Sequence, residues 1–454
     1  MKPGIPSGMR DYAPSEMRKR QFIIKTLTSC FEKFGFDPLE TPAMENLNTL
    51  TGKYGEEGDK LLYKILNQGD FTKDIPQEVW ESKEARKVSN AISGKGLRYD
   101  LTVPMARFVV MNRNDLALPF RRYQIQPVWR GDRPQKGRYR EFWQCDADII
   151  GTPSLYNEAE LLHLYRYAFN ALYLPEAVIR INNRKLLNAL AKQMNAVEKI
   201  TEITILIDKL DKIGMSKLLE EMLAKGYNDD QIQELKNYLS IEGNNAQKCE
   251  QLRQMFDGIP EGIEAIHEIS EILRLAEITQ TNPVLDTTLA RGLDYYTGMI
   301  VEVGFPEVFG GSVGGGGRCD DLTGVFGWKD NPGVGISFGL DRIYLIMEEL
   351  NRFPQTATTG TKVLFIHAGE AAQFLAYQQL QKLREQNITS QMYPASVKLE
   401  KQMKYADQKQ IPFVIIIREE ELVTGNFILK NMMNGNQEKL SWEEVIQKLN
   451  EYYL

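Results

Sequence analysis

YQIQPVWRGDRPQKGRYREFWQCDADIIG, residues 123–151, is the stretch on which the fold turns. Residues 120–130 and 138–150 have strand character, and the short basic segment Gly131–Gly137 between them carries turn chemistry, so the pair reads as a hairpin. Seven basic residues (Arg121, Arg122, Arg130, Arg133, Lys136, Arg138, Arg140) face one acid, Asp132, between positions 121 and 140. A solvated face is the plain account of such a run. The interleaved Tyr123, Trp129, Tyr139, Phe142 and Trp143 weaken it. Strand alternation would set Arg138, Arg140 and Phe142 on one face. A flat ring beside permanently charged, forked guanidiniums suits a nucleotide, with its base and its phosphates.

Working outward, residues from Ser15 to Phe34 form a helical stripe that Gly35 stops, and an extended segment, Phe36 to Ala43, follows. KLLYKIL (60–66) and LRYDLTV (97–103) alternate as strands do, with a polar excursion between them. From about 185 to 275, Leu, Lys and Glu recur at helical spacing. Strand signals return at 284–303, pass through a glycine-rich turn, and resume over Gly333–Phe338 before a helix, Gly339–Leu350. A polar stretch then reads as a linker, and strand and helix patterns alternate from residue 362 on, as in an α/β domain with a largely parallel sheet.

Composition narrows the function classes. The chain has 454 residues, 43% of them hydrophobic and 26% charged, as in an ordinary globular protein of two or three domains. No apolar run approaches the roughly 20 residues of a membrane span, and the opening MKPGIPSGMRDYAP lacks a secretory pattern, so a cytoplasmic protein is expected. Four scattered cysteines and three isolated histidines argue against a zinc site, a disulfide framework or a Ser-His-Asp machine. The net charge of −6 counts mildly against nucleic acid, although a sum hides the basic hairpin.

Three further constellations carry chemistry. LARGLDYYTG, 289–298, gathers Arg291, Asp294, Tyr295 and Tyr296, which could equally be core aromatics beside an ion pair. GGSVGGGGRCDD, 310–321, has the glycine content of a flexible loop, or of a backbone that a ligand must approach closely. It is not a dinucleotide fingerprint. GVGISFGLDR, 333–342, is a short strand entering a helix whose first turn holds Asp341 and Arg342.

In this order and spacing the segments resemble a known family, the class II aminoacyl-tRNA synthetases in their histidine-specific form. The basic hairpin resembles motif 2, GVGISFGLDRI motif 3, and FGFDPLETPAMEN motif 1, the dimer-interface segment. ARGLDYYTG and GGGGRCDDL resemble the two histidine signatures, and LRYDLTVPMAR and PSGMRDYAP also have counterparts. The likeness spans essentially the whole chain. It implies an α+β catalytic domain built on an antiparallel sheet over 1–355, with a helical insertion at about 185–275. A linker at 356–361 and a C-terminal α/β anticodon-binding domain at 362–454 would follow.

The resemblance also implies an activity: L-histidine is activated with ATP to the adenylate and transferred to the terminal adenosine of tRNA(His), by a homodimer using Mg²⁺ with ATP. Arg291 and Arg130 would be catalytic. Asp100 and Thr102, with Gln144, would receive the α-amino group, Asp148 and Tyr296 the imidazole nitrogens, and Tyr295 would line the pocket. Arg130, Arg138 and Arg342 would hold phosphates, Phe142 would stack on adenine, and Asp132 would touch its edge or organise the loop. No metal-ligating side chain is assigned. Two departures stand out: Asp132 where the family usually has Glu, and Cys319 where it usually has Tyr. Two other readings compete. One is a non-catalytic, synthetase-like regulatory subunit of ATP phosphoribosyltransferase, which generally lacks the C-terminal domain. The other is a class II enzyme for another amino acid, which would not need ARGLDYYTG.

Overall fold

The computed structural model describes residues 2–51, 60–73, 75–290, 296–358 and 360–453. The chain divides into two compact units, one of residues 1–11 and 22–352, the other of residues 12–21 and 353–454. The first unit contains strands β1 (Asp37–Pro38), β2 (Met44–Asn46), β3 (Lys64–Ile65), β4 (Lys95–Leu97), β5 (Phe120–Trp129), β6 (Glu141–Ile150), β7 (Val178–Asn183), β8 (Val284–Leu285), β9 (Met299–Phe305), β10 (Phe309–Cys319) and β11 (Gly333–Gly339). Eight of them form one sheet in the order β1-β5-β6-β11-β10-β9-β7-β8, and β2, β4 and β3 form a small second sheet. The outermost pairs, β1 with β5 and β7 with β8, are parallel; every other pairing in the large sheet is antiparallel.

Alternation along the central strands decides which face is core. On β11, Val334, Ile336 and Phe338 are buried while Gly335, Ser337 and Gly339 are partly open. Phe338 meets Phe31 of the helix Pro14–Lys33 at 5.7 Å between ring centroids, and Tyr165 and Phe169 of the helix Tyr156–Ala171 at 4.7 and 5.7 Å. Those helices close one face. The other carries the polar residues of β6 and β11 and is where chemistry can occur.

Several strand expectations need correction. LRYDLTV is not a strand: β4 ends at Leu97, and a helix, Thr102–Met111, starts five residues later. Asp100 Oδ1 accepts from the backbone N–H of Val103 at 3.1 Å, so this acid ties to the first turn of the helix instead of alternating along a ladder. KLLYKIL is strand only over Lys64–Ile65, and the polar excursion holds two short helices, Gln77–Ser82 and Ala85–Ala91. β6 begins at Glu141, so Arg138 and Arg140 precede it and do not share its alternation with Phe142.

The glycine-rich segment is also not a turn but β10, in the middle of the sheet. Its neighbours come too close for side chains. A Cβ on Gly316 would lie 2.1 Å from the Gly335 carbonyl oxygen, and one on Gly317 would lie 2.4 Å from that of Met299. Glycine is ordinarily a poor strand residue, and this close backbone approach is what makes it the required one here.

Arg318, in the same segment, is buried and pairs with Glu158, which has no exposed side-chain surface, through both carboxylate oxygens. It reaches Asp320 Oδ1 at 3.2 Å, while Asp320 Oδ2 accepts from Thr297 Oγ1 at 2.7 Å. The pair ties β10 to the helix Tyr156–Ala171, and the Asp320 contact anchors Thr297 within ARGLDYYTG.

Between β7 and β8, five helices (Arg184–Gln193, Ile200–Ala224, Asp229–Leu239, Asn245–Met255 and Pro260–Ile278) form the expected helical module. They pack around a core that includes Leu190, Leu206, Phe256 and Ile266. Asn228 and Asn244 start two of them with capping boxes closed by Gln231 and Gln247. Gly214, at φ +77°, breaks the long helix into two segments.

The second unit contains β12 (Val363–His367), β13 (Ser390–Met392), β14 (Phe413–Ile417), β15 (Phe427–Asn431) and β16 (Gln437–Leu440), in the order β13-β12-β14-β15-β16. Its sheet is mixed, not largely parallel. β12 runs parallel to β13 and β14, whereas β15 and β16 form an antiparallel edge. VLFIH and FVIII are buried on both faces, which explains their unbroken apolar character. His367 is a core histidine, its Nε2 3.0 Å from the Tyr393 carbonyl. Within the expected linker region, Gln355–Thr358 is helical. All four cysteines are buried thiols. No helix among the described residues is long and apolar enough to cross a membrane.

Arg318→Ala would leave Glu158 buried without its partner, and a loss of about 3–5 kcal/mol is expected. Burial already raises the Glu158 carboxyl above its ordinary range, opposed by Arg318. The deficit should therefore shrink as the pH falls and Glu158 takes up a proton. Urea unfolding of the two proteins at acid and neutral pH measures both effects; a neutral-pH loss under about 1 kcal/mol would contradict the assignment.

Candidate active site

Two cavities open on the polar face of the large sheet. The inner one, about 90 Å³, is lined by Asp100, Thr102, Arg130, Gln144, Asp146, Asp148, Tyr296 and Cys319, with Gly315–Gly317 and Gly335 beneath. The outer one, about 330 Å³, is lined by Arg130, Asp132, Arg138, Phe142, Asp341 and Arg342. Arg130, Gln144, Tyr296 and Ser337 line both.

β6 organises the row. Phe142, Gln144, Asp146 and Asp148 are spaced by two and so share one face, running from the outer cavity to the inner. The register places Arg122 of β5 beside Asp148 on one side and Gly335 of β11 on the other. Arg122 has no exposed side-chain surface, and its Nη2 lies 2.8 Å from Asp148 Oδ2. Burial raises the Asp148 carboxyl above its usual range, Arg122 draws it down, and Asp100 raises it again. A Cβ on Gly335 would sit 1.9 Å from Asp148 Oδ1, and one on Gly317 would sit 2.9 Å from the Tyr296 ring. Bare backbone therefore makes the room in which the carboxylate and the phenol lie.

The cationic groups are held by backbone carbonyls. Arg130 follows β5; its Nε donates to the Tyr99 carbonyl at 3.0 Å, and its guanidinium lies 4.2 Å from the Tyr99 ring centre and 5.2 Å from that of Phe142. Arg342 donates through Nε to Gly137 and through Nη1 to Ser312, at 3.2 and 2.5 Å. Arg138 stands half exposed, 3.9 Å from Asp132. Arg140 turns elsewhere, donating to the carbonyls of Asp132 and Ser7 at 3.1 and 3.2 Å. Asp341 accepts from the Trp143 backbone N–H at 3.1 Å, which is a sheet-to-helix tie and more than balancing of a helix end.

Asp100, Thr102, Gln144, Asp148 and Tyr296 thus meet at the inner cavity, and Asp132, Arg138, Phe142 and Arg342 at the outer, with Arg130 between. Arg291 and Tyr295 lie outside the described residues. Three participants were missed from sequence. Arg122 was one of seven basic residues in and beside the hairpin, and only the register distinguishes it. Asp146 shares the spacing of Gln144 and Asp148, so alternation alone could have found it. Ser337, whose Oγ lies 3.1 Å from Gln144 Nε2, gives no sequence signal.

The sequence profile described as histidyl-tRNA synthetase matches residues 81–343, more than half of the chain, and one described as an anticodon binding domain matches 362–452. The chain belongs to the histidyl-tRNA synthetase family. It is 49% identical over 445 residues to the histidine–tRNA ligase of Christiangramia forsetii, covering 97% of this chain and 98% of that one. The histidine–tRNA ligase of Cytophaga hutchinsonii is also 49% identical, over 451 residues and 99% of each chain. A solved structure, histidyl-tRNA synthetase from Nostoc sp. PCC 7120, superposes with a TM-score of 0.84 at 27% identity, covering 100% of both chains. The full-length ligase relatives, which include the C-terminal domain, support a ligase over a regulatory subunit.

Gly335→Ala tests how the inner cavity is built. Displacing Asp148 by about 1 Å should lower ligase activity about 100-fold and cost about 1–3 kcal/mol of stability, a loss that leaves the protein folded. Full activity in this variant would mean that the position of Asp148 is immaterial.

Proposed function

We propose that this chain activates L-histidine with ATP and esterifies the product to tRNA(His), with the amino acid in the inner cavity and the nucleotide in the outer. The observation that carries this reading is the meeting of a carboxylate-lined cavity and a guanidinium-lined one at Arg130, Gln144 and Tyr296. The first step joins two anions, as a histidine carboxylate oxygen attacks the α-phosphorus of ATP, the adenylate forms and pyrophosphate leaves. Such a step depends on alignment and charge neutralisation and needs no protein nucleophile. In the second, a hydroxyl of the terminal adenosine of the tRNA attacks the activated carbonyl carbon and AMP leaves.

In this reading Arg130 holds the α-phosphate at the junction, and Arg138 and Arg342 hold the outer phosphates. Phe142 stacks on adenine, with Asp132 at its edge or steadying Arg138. Asp100, Thr102 and Gln144 receive the α-ammonium group. Asp148 and Tyr296 hold the two imidazole nitrogens, so a side chain without them forfeits both hydrogen bonds; sites of this kind discriminate by about 10⁴-fold or more. Arg291 acts as a second cation at the α-phosphate and Tyr295 lines the pocket. Among the described residues no cluster of three carboxylate, imidazole or thiolate groups forms a metal cage. Mg²⁺ carried on the phosphates of ATP would neutralise part of their charge. The unit from residue 353 on, matched by the anticodon-binding profile, engages the tRNA. A cytoplasmic homodimer completes the proposal.

ATP–pyrophosphate exchange with each amino acid in turn is the direct test, with stimulation by histidine alone as the expected result. Exchange with another amino acid and not with histidine would overturn the assignment. Arg291→Ala should reduce histidine-dependent exchange by about 10²–10³ while histidine still binds; near-normal exchange would remove its catalytic role.

A further inference from the structure

We propose that Asp146 is a third anionic binding residue of the inner cavity, receiving the positive charge of the bound amino acid alongside Asp100 and Asp148 and releasing a proton to solvent as the substrate enters. This rests on the histidine reading above.

Asp146 is 3% exposed, lines the inner cavity, and lies between Gln124 of β5 and Ser337 of β11 in the register. Among the described residues few donors reach it. Gln144 Nε2 stands 3.4 Å away, and the Ser337 hydroxyl bonds it. Gln124 directs both amide hydrogens elsewhere, to Thr41 Oγ1 at 2.8 Å and Gln126 Oε1 at 2.5 Å. From the helix beneath, the Tyr165 hydroxyl is held by the Ser337 and Gly315 carbonyls at 2.8 and 3.1 Å.

The charge balance supplies the argument. Asp100, Asp146 and Asp148 all line the inner cavity, and the cation beneath them, Arg122, makes its close contact with Asp148. Arg130, at the mouth, faces the outer cavity as well. Among the described residues, three buried carboxylates line this cavity above one embedded guanidinium, and such crowding is relieved by keeping a proton or by admitting a cation. Burial, then Asp148 and Asp100, push the Asp146 carboxyl up to about 7, against the downward pull of Arg122 and Ser337. With its acidity so weakened, Asp146 is partly protonated in the empty site near neutral pH. The α-ammonium group of the substrate, entering the same cavity, favours the ionised form.

Calorimetric titration of the full-length protein with L-histidine, in buffers of differing ionisation enthalpy, counts the protons released. Near pH 7, wild type should release a measurable fraction of a proton more than Asp146→Asn. By about pH 8.5, where Asp146 is already ionised, the difference should vanish. The same substitution should weaken histidine binding about tenfold or more while the KM for ATP stays within about twofold. Equal proton release and near-equal affinity would overturn the proposal. Should Asp146→Asn fail to fold, an infrared difference spectrum of wild type decides: loss of a protonated-carboxyl band on adding histidine near pH 7 supports the proposal, and no such loss refutes it. If wild type does not bind L-histidine, the function reading falls and this inference with it. If it binds and the variant behaves identically, only this inference falls.

Discussion

Arg122, with no solvent contact, holds Asp148 at 2.8 Å inside an eight-stranded sheet, and the inner cavity depends on that pair. A carboxylate this deeply buried is costly without an opposite charge, and a guanidinium this deeply buried is equally so. The two coexist because adjacent strands bring them side by side, with the acid turned toward the cavity and Leu101 offering its carbonyl to Arg122 Nη2 at 3.3 Å. Removing Arg122 would leave Asp148 buried without its close cationic partner, in a cavity it shares with Asp100 and Asp146.

The same pair explains the glycines. A carboxylate lying flat across the sheet needs a neighbouring strand without side chains, and Gly335 supplies it; Gly317, one strand further, does the same for Tyr296. β10 could not form a sound strand by propensity. It is held by β9 and β11 on either side and by the Arg318–Glu158 pair at its end. On the opposite face Phe338 packs against the rings of Phe31, Tyr165 and Phe169. Core and cavity are thus two faces of the same strands.

Electrostatics then divides the site. The inner cavity has an excess of carboxylates and suits a cationic ligand, while the outer one is bordered by Arg130, Arg138 and Arg342 and suits phosphates. Their junction at Arg130 is where opposite preferences meet, and where a substrate carboxylate and a phosphate could be brought together despite their repulsion. Backbone carbonyls of Tyr99, Gly137 and Ser312 accept from Arg130 and Arg342 and hold both guanidiniums at the border of the outer cavity.

By itself the sequence determined the hairpin, the helical module, the strand-to-helix step at Gly339 and, through ARGLDYYTG and GGGGRCDDL, the family. These are local signals, set by alternation, helical spacing and motif order. It misjudged LRYDLTV, where a helix beginning at Thr102, its first turn bonded by Asp100, overrides the apparent alternation, and the glycine run, where composition favours a loop and only the crowding of β9 and β11 requires a strand. It could not single out Arg122 or Ser337 or give Asp146 its setting, nor see Arg140 turn away to Ser7. Those outcomes were decided by tertiary structure, because register and burial, not residue type, settle which charges face each other out of water.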